Sequence, residues 1–273
     1  MIRARVAGED AQTRARRIWD TPGERWFTPE DPVWRVHSDA SMFPGGVAAL
    51  LLQSLHPLAM AGVAGHSGYR GDPWGRLQRT SDYLATTTFG TVEDAERIIA
   101  RVRDVHTRVR GKDERGRPYR ADDPVLLSWV HVAEVESFLA AHQAYGAARL
   151  TPAEADRYVA QAGVAARLLG VPDPPTTVVG LAQQLASYRA ELEPSPAALD
   201  AARFLLREPP LPRVARPGYA AIAAGGVALL PDWARVMLDD ALPPVPDRLA
   251  RPARQALGRA ATATVRWAMA GVD

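Results

Sequence analysis

The chain has no cysteine among its 273 residues. That excludes disulfides, thiolate zinc or iron–sulfur sites, cysteine nucleophiles and a thiolate-ligated haem. A metal held by this protein must use His, carboxylate, Tyr or Met. Lysine is almost missing as well: of 33 basic residues only Lys112 is a lysine, and 31 acidic residues bring the net charge to +2. No long basic run with interleaved aromatics occurs, so no nucleic-acid partner is expected. Strand-like alternation is lacking, as is a glycine-rich phosphate loop following a strand. None of the six histidines, His37, His56, His66, His106, His131 and His142, forms the i, i+4 pair around a glutamate that marks a zinc protease helix. The start, MIRARVAGEDAQTR, carries no apolar stretch behind its charges, so no secretory signal is read and a cytoplasmic location is expected. The most apolar stretch, residues 47–63, is short for a membrane span and includes Gln53, His56 and Pro57. It reads as a core helix broken at Pro57, and no membrane partner is expected.

What the chain does have is helix punctuation from end to end. Asp72 with Pro73 opens a helix that runs to Phe89 and stops at Gly90. Thr91 and Asp94 resemble a capping box for the next, closed by Gly111 and followed by a polar loop over 111–122. Asp123 and Pro124 open another, ending at Gly146. Thr151 and Glu154 start one that reaches Leu169, and Thr177 to Leu192 makes a further one. EPSP at 193–196 breaks the pattern, and shorter helical pieces follow between proline-rich connections. With 47% hydrophobic residues, this is an all-α chain, expected as a single domain over 1–273 with a C-terminal helical extension from about 196.

Two helices place histidine among apolar residues. Over 91–111, Ile98, Ile99, Val102, Val105, His106 and Val109 fall on one face, with arginines opposite. Over 124–145, Leu127, Val130, His131, Glu134, Val135, Phe138 and Leu139 share a face, so a second imidazole points inward beside a buried or half-buried acid. An inward histidine needs a hydrogen-bond partner, a water or a metal. The simplest reading of each is a hydrogen-bonded core histidine, but inward histidines on several helices also suit a cofactor in a bundle core. In RLQRT, Arg76 and Thr80 lie one turn apart. A permanently charged guanidinium on a semi-buried face calls for a carboxylate, a phosphate or a propionate, and an ion pair with Asp72 is the plain alternative. Ser67 in GHSGYRG has the look of a nucleophile elbow without its strand–turn–helix setting, so a hydrolase is not expected.

HPLAMAGVAGHS at 56–67, DPWGRLQRT at 72–80, RVRDVHTRVRG at 101–111 and DPVLLSWVHVAEVESFL at 123–139 resemble, in order and spacing, the catalytic domain shared by latex-clearing rubber oxygenases and MpaB-type oxygenases. The likeness continues through 150–172 and covers about residues 30–200. It implies a globin-like helical core around one b-type haem, with His106 as proximal iron ligand through Nε2 and its Nδ1–H donated to a carbonyl or carboxylate. It also implies Arg76 and Thr80 beside the haem, the Trp129–His131 pair in the pocket, and His56 in a histidine–proline pair common to the wider family. Two positions depart from the pattern. Arg79 stands where rubber oxygenases have a lysine, and no glutamate lies between Glu30 and Glu93, where their distal base belongs. Both departures argue against polyisoprene as substrate. The expected activity is a haem b-dependent oxygenase or dehydrogenating oxidase that uses O2 on an apolar or aromatic small molecule, with Arg76, Thr80 and Arg79 as candidate catalytic residues. The alternatives are a non-catalytic haem-binding or haem-sensing protein, its sixth position closed by His56, His66 or His131, and a helical scaffold without cofactor.

Overall fold

The computed structural model describes residues 11–66, 70–242 and 247–270. Among them are thirteen α-helices and one two-stranded hairpin. The helices are α1 (Ala11–Asp20), α2 (Pro32–Ser38), α3 (Met42–Gln53), α4 (Pro57–His66), α5 (Pro73–Phe89), α6 (Val92–Arg108), α7 (Pro124–Tyr145), α8 (Pro152–Leu169), α9 (Val178–Ser187), α10 (Pro196–Arg207), α11 (Arg216–Leu229), α12 (Asp232–Met237) and α13 (Asp247–Ala270). Ser67 and the first ten residues lie outside the described residues.

The starts follow from side chains that satisfy otherwise orphaned amides. Asp72 accepts from Gly75 N at 2.9 Å, and Asp123 accepts from Val125 N at 2.8 Å. Thr151 and Glu154 form a reciprocal capping box. Proline at the first turn of α5, α7 and α8 fixes φ where no amide partner is required. Pro57 cannot continue α3, so α3 and α4 meet at a bend of 106° with His56 at the corner.

α7 is the axis of the core. Leu51 and Leu52 of α3, Trp129, Val132 and Ala133 of α7, and Tyr158 of α8 are all nearly inaccessible to solvent. α7 is long and apolar enough to cross a membrane, yet 67% of its apolar window is buried inside the molecule, as in a core helix. The C-terminal helices share this core: Ala223 and Val227 of α11 join Leu230, Ala234 and Leu238 in the same apolar cluster. The final helix is 24 residues long, against the short pieces expected there. Its apolar positions interrupt arginine-rich turns, which made the run look shorter than it is.

The segment read as a loop over 111–122 is partly a hairpin, with β1 (Arg110–Lys112) antiparallel to β2 (Pro118–Arg120). Three-residue strands are too short to show alternation. Asp113 builds the turn by accepting from the amides of Arg115 and Arg117. Tyr119 then turns inward, its hydroxyl 3.2 Å from His66 Nδ1.

Candidate functional site

α5 and α6 pack on one another, α5 also on α2 and α6 also on α8, while neither packs extensively on α7.

On α5, positions 76, 80, 83 and 87 recur at helical spacing and share one face. Arg76 is half-buried, and burial, followed by the nearby charge of Arg79, pulls its guanidinium pKa down. The ion pair with Asp72 expected as its plain alternative belongs to Arg79 instead, at 3.3 Å and in solvent. Thr80 Oγ1 donates to the carbonyl of Arg76 at 3.1 Å, so its proton is spent inside the helix and only its acceptor lone pairs remain.

His106 ends the stripe of α6. That stripe enters the core only in its first half, at Ala95 and Ile99, and then leaves it. Towards its end the face is open: Val105 is 44% exposed, and Val102 and Val109 are only half-buried. His106 itself is partly buried, and its Nδ1 is enclosed without a hydrogen-bond partner. The carbonyl or carboxylate acceptor expected at Nδ1 is thus not in place. Asp122 is near enough to favour the protonated ring, but its carboxylate is engaged by Arg120 at 2.7 and 2.9 Å. Burial outweighs Asp122 and lowers the His106 pKa, which favours the neutral imidazole a metal requires.

His131 is buried on α7, as its spacing indicates, and its Nε2 has no partner. Burial, helped by Arg167, takes its pKa down to about 4. One turn on, Glu134 carries the acid expected beside it, and burial pushes that carboxyl up to about 7. Val130 departs from the expected buried face and is 38% exposed. Trp129 is fully buried and donates Nε1–H to the Gln53 carbonyl at 3.1 Å. It packs beside His56, which is buried between Trp129 and Tyr188 with neither ring nitrogen hydrogen-bonded. The nearest carboxylate oxygen to His56, on Glu191, is 3.7 Å from Nε2.

Sequence reading passed over a second polar cluster. His37 on α2 places Nδ1 2.8 Å from Thr88 Oγ1 and Nε2 3.5 Å from the Tyr158 hydroxyl. Burial takes His37 down to about 4 and raises Tyr158. The signal was faint, since α2 is seven residues long and shows too little periodicity to point a histidine.

No group of three or more His, Asp or Glu side chains suited to a metal ion occurs among the described residues. A single half-buried imidazole is what a metal already held in a macrocycle requires, since the ring supplies the equatorial ligands. Leu77, Val105 and Val130 are each partly exposed. A neutral imidazole at His106 and a guanidinium at Arg76 are donor types that a haem can use.

Residues 34–267 match the family described as the ER-bound oxygenase mpaB/B'/rubber oxygenase catalytic domain. No curated protein and no solved structure matches the chain.

Proposed function

This chain belongs to that oxygenase catalytic-domain family, and we propose that it is a haem b-dependent oxygenase or dehydrogenating oxidase acting with O2 on an apolar or aromatic small molecule. The observation that carries the reading is the His106 imidazole: half-buried and held neutral by burial, as an iron-ligating nitrogen must be.

In this reading His106 holds the iron from the end of α6. Bound haem supplies oxygen binding and the electron chemistry that protein side chains lack. Arg76 sets a fixed positive charge on α5, where burial strengthens its attraction for a propionate. Thr80, exposed one turn on from Arg76, has lone pairs, not a proton, to offer a ligand. His131 stays neutral at physiological pH and lines the α7 side. Arg79 stands outside the pocket, held by Asp72.

A second reading is favoured by the unpartnered nitrogens of His131 and His56: either imidazole closing the sixth position makes the protein a haem binder without oxygen chemistry. One experiment separates the outcomes. Absorption spectra of the haem-reconstituted wild type, His106→Ala and His131→Ala are recorded with and without O2. A Soret band lost in His106→Ala alone supports the proposal. An unchanged His106→Ala spectrum beside a colourless His131→Ala moves the ligand to His131. A low-spin six-coordinate wild type indifferent to oxygen supports the second reading.

A further inference from the structure

A cavity of about 240 Å³ lies where α7, α9, the turn at Tyr188–Ala190 and the start of α12 meet. Small side chains make room for it. Ala182 and Ala186 sit one turn apart on α9 and leave space that larger residues would fill, while the buried Leu185 supplies apolar surface on the same helix. Trp233 of α12 also lines the cavity and is anchored by its packing against the main core. None of Arg76, Thr80, His106 and His131 lines it.

Two groups of opposite charge line this cavity without pairing with each other. Glu136 of α7 is half-buried, and no described residue donates a hydrogen bond to its carboxyl. Burial raises its pKa, a cost that a donor brought by a ligand would relieve. The Arg189 guanidinium lies over the Trp233 ring, 4.1 Å from its centroid, with no carboxylate of a described residue at ion-pair distance. An acid and a base held apart across apolar surface stabilise the fold poorly, but they suit recognition. Stacking engages the flat face of the guanidinium and leaves its in-plane N–H groups free, and these match the two oxygens of a carboxylate. Arg189 is exposed, so a ligand can reach that edge. An ionised Glu136 offers only acceptors, so whatever meets it must donate.

We propose that this cavity binds a small monocarboxylate with an apolar body and a hydrogen-bond donor at its other end, Arg189 taking the carboxylate and Glu136 the donor. At about 240 Å³ the cavity lies just below the roughly 300–1,000 Å³ of drug-sized pockets, which limits the ligand to about one ring or a short aliphatic chain. The site does not depend on haem.

The probes are 4-hydroxyphenylacetate, phenylacetate, which lacks the donor, and 4-hydroxyphenylacetamide, which lacks the charge. Their affinities for the full chain, with no haem added, are measured by isothermal titration calorimetry in wild type, Arg189→Gln, Arg189→Lys and Glu136→Ala. The wild type is expected to bind 4-hydroxyphenylacetate about tenfold or more tightly than the amide and about threefold or more tightly than phenylacetate. Arg189→Gln should erase the preference for carboxylate over amide. Arg189→Lys, which keeps the charge but loses the fork and the stacked plane, should retain only part of it. Glu136→Ala should erase the preference for the hydroxyl and keep that for the carboxylate. The ranking of the three probes in the wild type requires no variant to fold: equal affinities, or no binding of any probe, overturn the site. So does an Arg189→Gln protein that keeps the wild-type ranking, while an unchanged hydroxyl preference in Glu136→Ala overturns the role of Glu136. Each of these results leaves the haem reading standing.

Discussion

Asp39 and Arg266, 227 positions apart, meet in a two-pronged ion pair, with Nε 3.1 Å from Oδ2 and an Nη 3.0 Å from Oδ1. The same guanidinium donates to the Tyr145 carbonyl at 2.7 Å, so one arginine of α13 ties the α2–α3 turn to the end of α7. Burial alone would raise the Asp39 pKa, but hydrogen bonds from Arg266 and Ser41 prevail and lower it. The folded carboxyl thus holds its proton less tightly than the unfolded one. The resulting stability is present above the unfolded value of 3.8 and is lost as pH falls through the folded one. Asp39→Ala leaves a partly buried guanidinium without its partner and is expected to cost about 2–3 kcal/mol at pH 7. Urea unfolding at pH 7 and pH 3 checks this: the gap between wild type and variant should narrow at the acid end.

Glu134 gives the opposite sign. Its folded pKa of about 7 lies above the ordinary 4.5, so the folded protein keeps a proton that the unfolded chain releases. Nothing is lost below 4.5, stability declines as pH rises through the interval, and above 7 the penalty is complete at about 3 kcal/mol. Glu134→Gln removes that slope. It should match the wild type at pH 4.5 and exceed it at pH 8.5, with thermal melting at the two pH values as the measure. A variant less stable at both would mean the carboxylate is paired in solution.

These two acids show what the sequence makes legible. The helices announce themselves through caps, because an Asp or Thr before a proline and a periodic run has one local meaning wherever it occurs. Glu134 was legible as an acid on an apolar face. The lack of a partner was not, since that depends on α5 and α8, which helical spacing cannot place. His106 was legible as an unusual residue on a regular stripe. That the stripe leaves the core at its last turn depends on which helices pack there, and so does the missing acceptor at Nδ1. Asp39 gave no signal at all: a single acid in a turn is indistinguishable from a solvated one until a residue over 200 positions away is in place.

The crossing of α11 and α13 depends on two glycines. A Cβ on Gly225 would stand 2.6 Å from Gly258 Cα, and one on Gly258 would stand 2.5 Å from Gly225 Cα. Backbone lies on both sides, so no rotamer change relieves the clash. Gly225→Ala and Gly258→Ala are each expected to destabilise by about 1–3 kcal/mol despite alanine's better helix propensity. Because each substitution spreads the same crossing, the double variant should lose less than the sum. Chemical denaturation of the three variants tests both statements.

Arg76 and Arg79 lie within one turn of α5, but their surroundings give them different fates. Arg76 is half-buried, while the guanidinium of Arg79 lies in solvent against Asp72. A charge that neutralises a propionate in a partly dry setting contributes far more than an exposed pair. Arg76→Gln is therefore expected to raise the rate of haem loss by about tenfold or more, equivalent to about 1.4 kcal/mol. Arg79→Gln should change it by less than about twofold, because the charge it removes is already paired and solvated. Transfer of haem to excess apomyoglobin, followed at the Soret band, measures both rates. Equal effects of the two substitutions would show that α5 presents a diffuse positive edge and that burial does not single out Arg76.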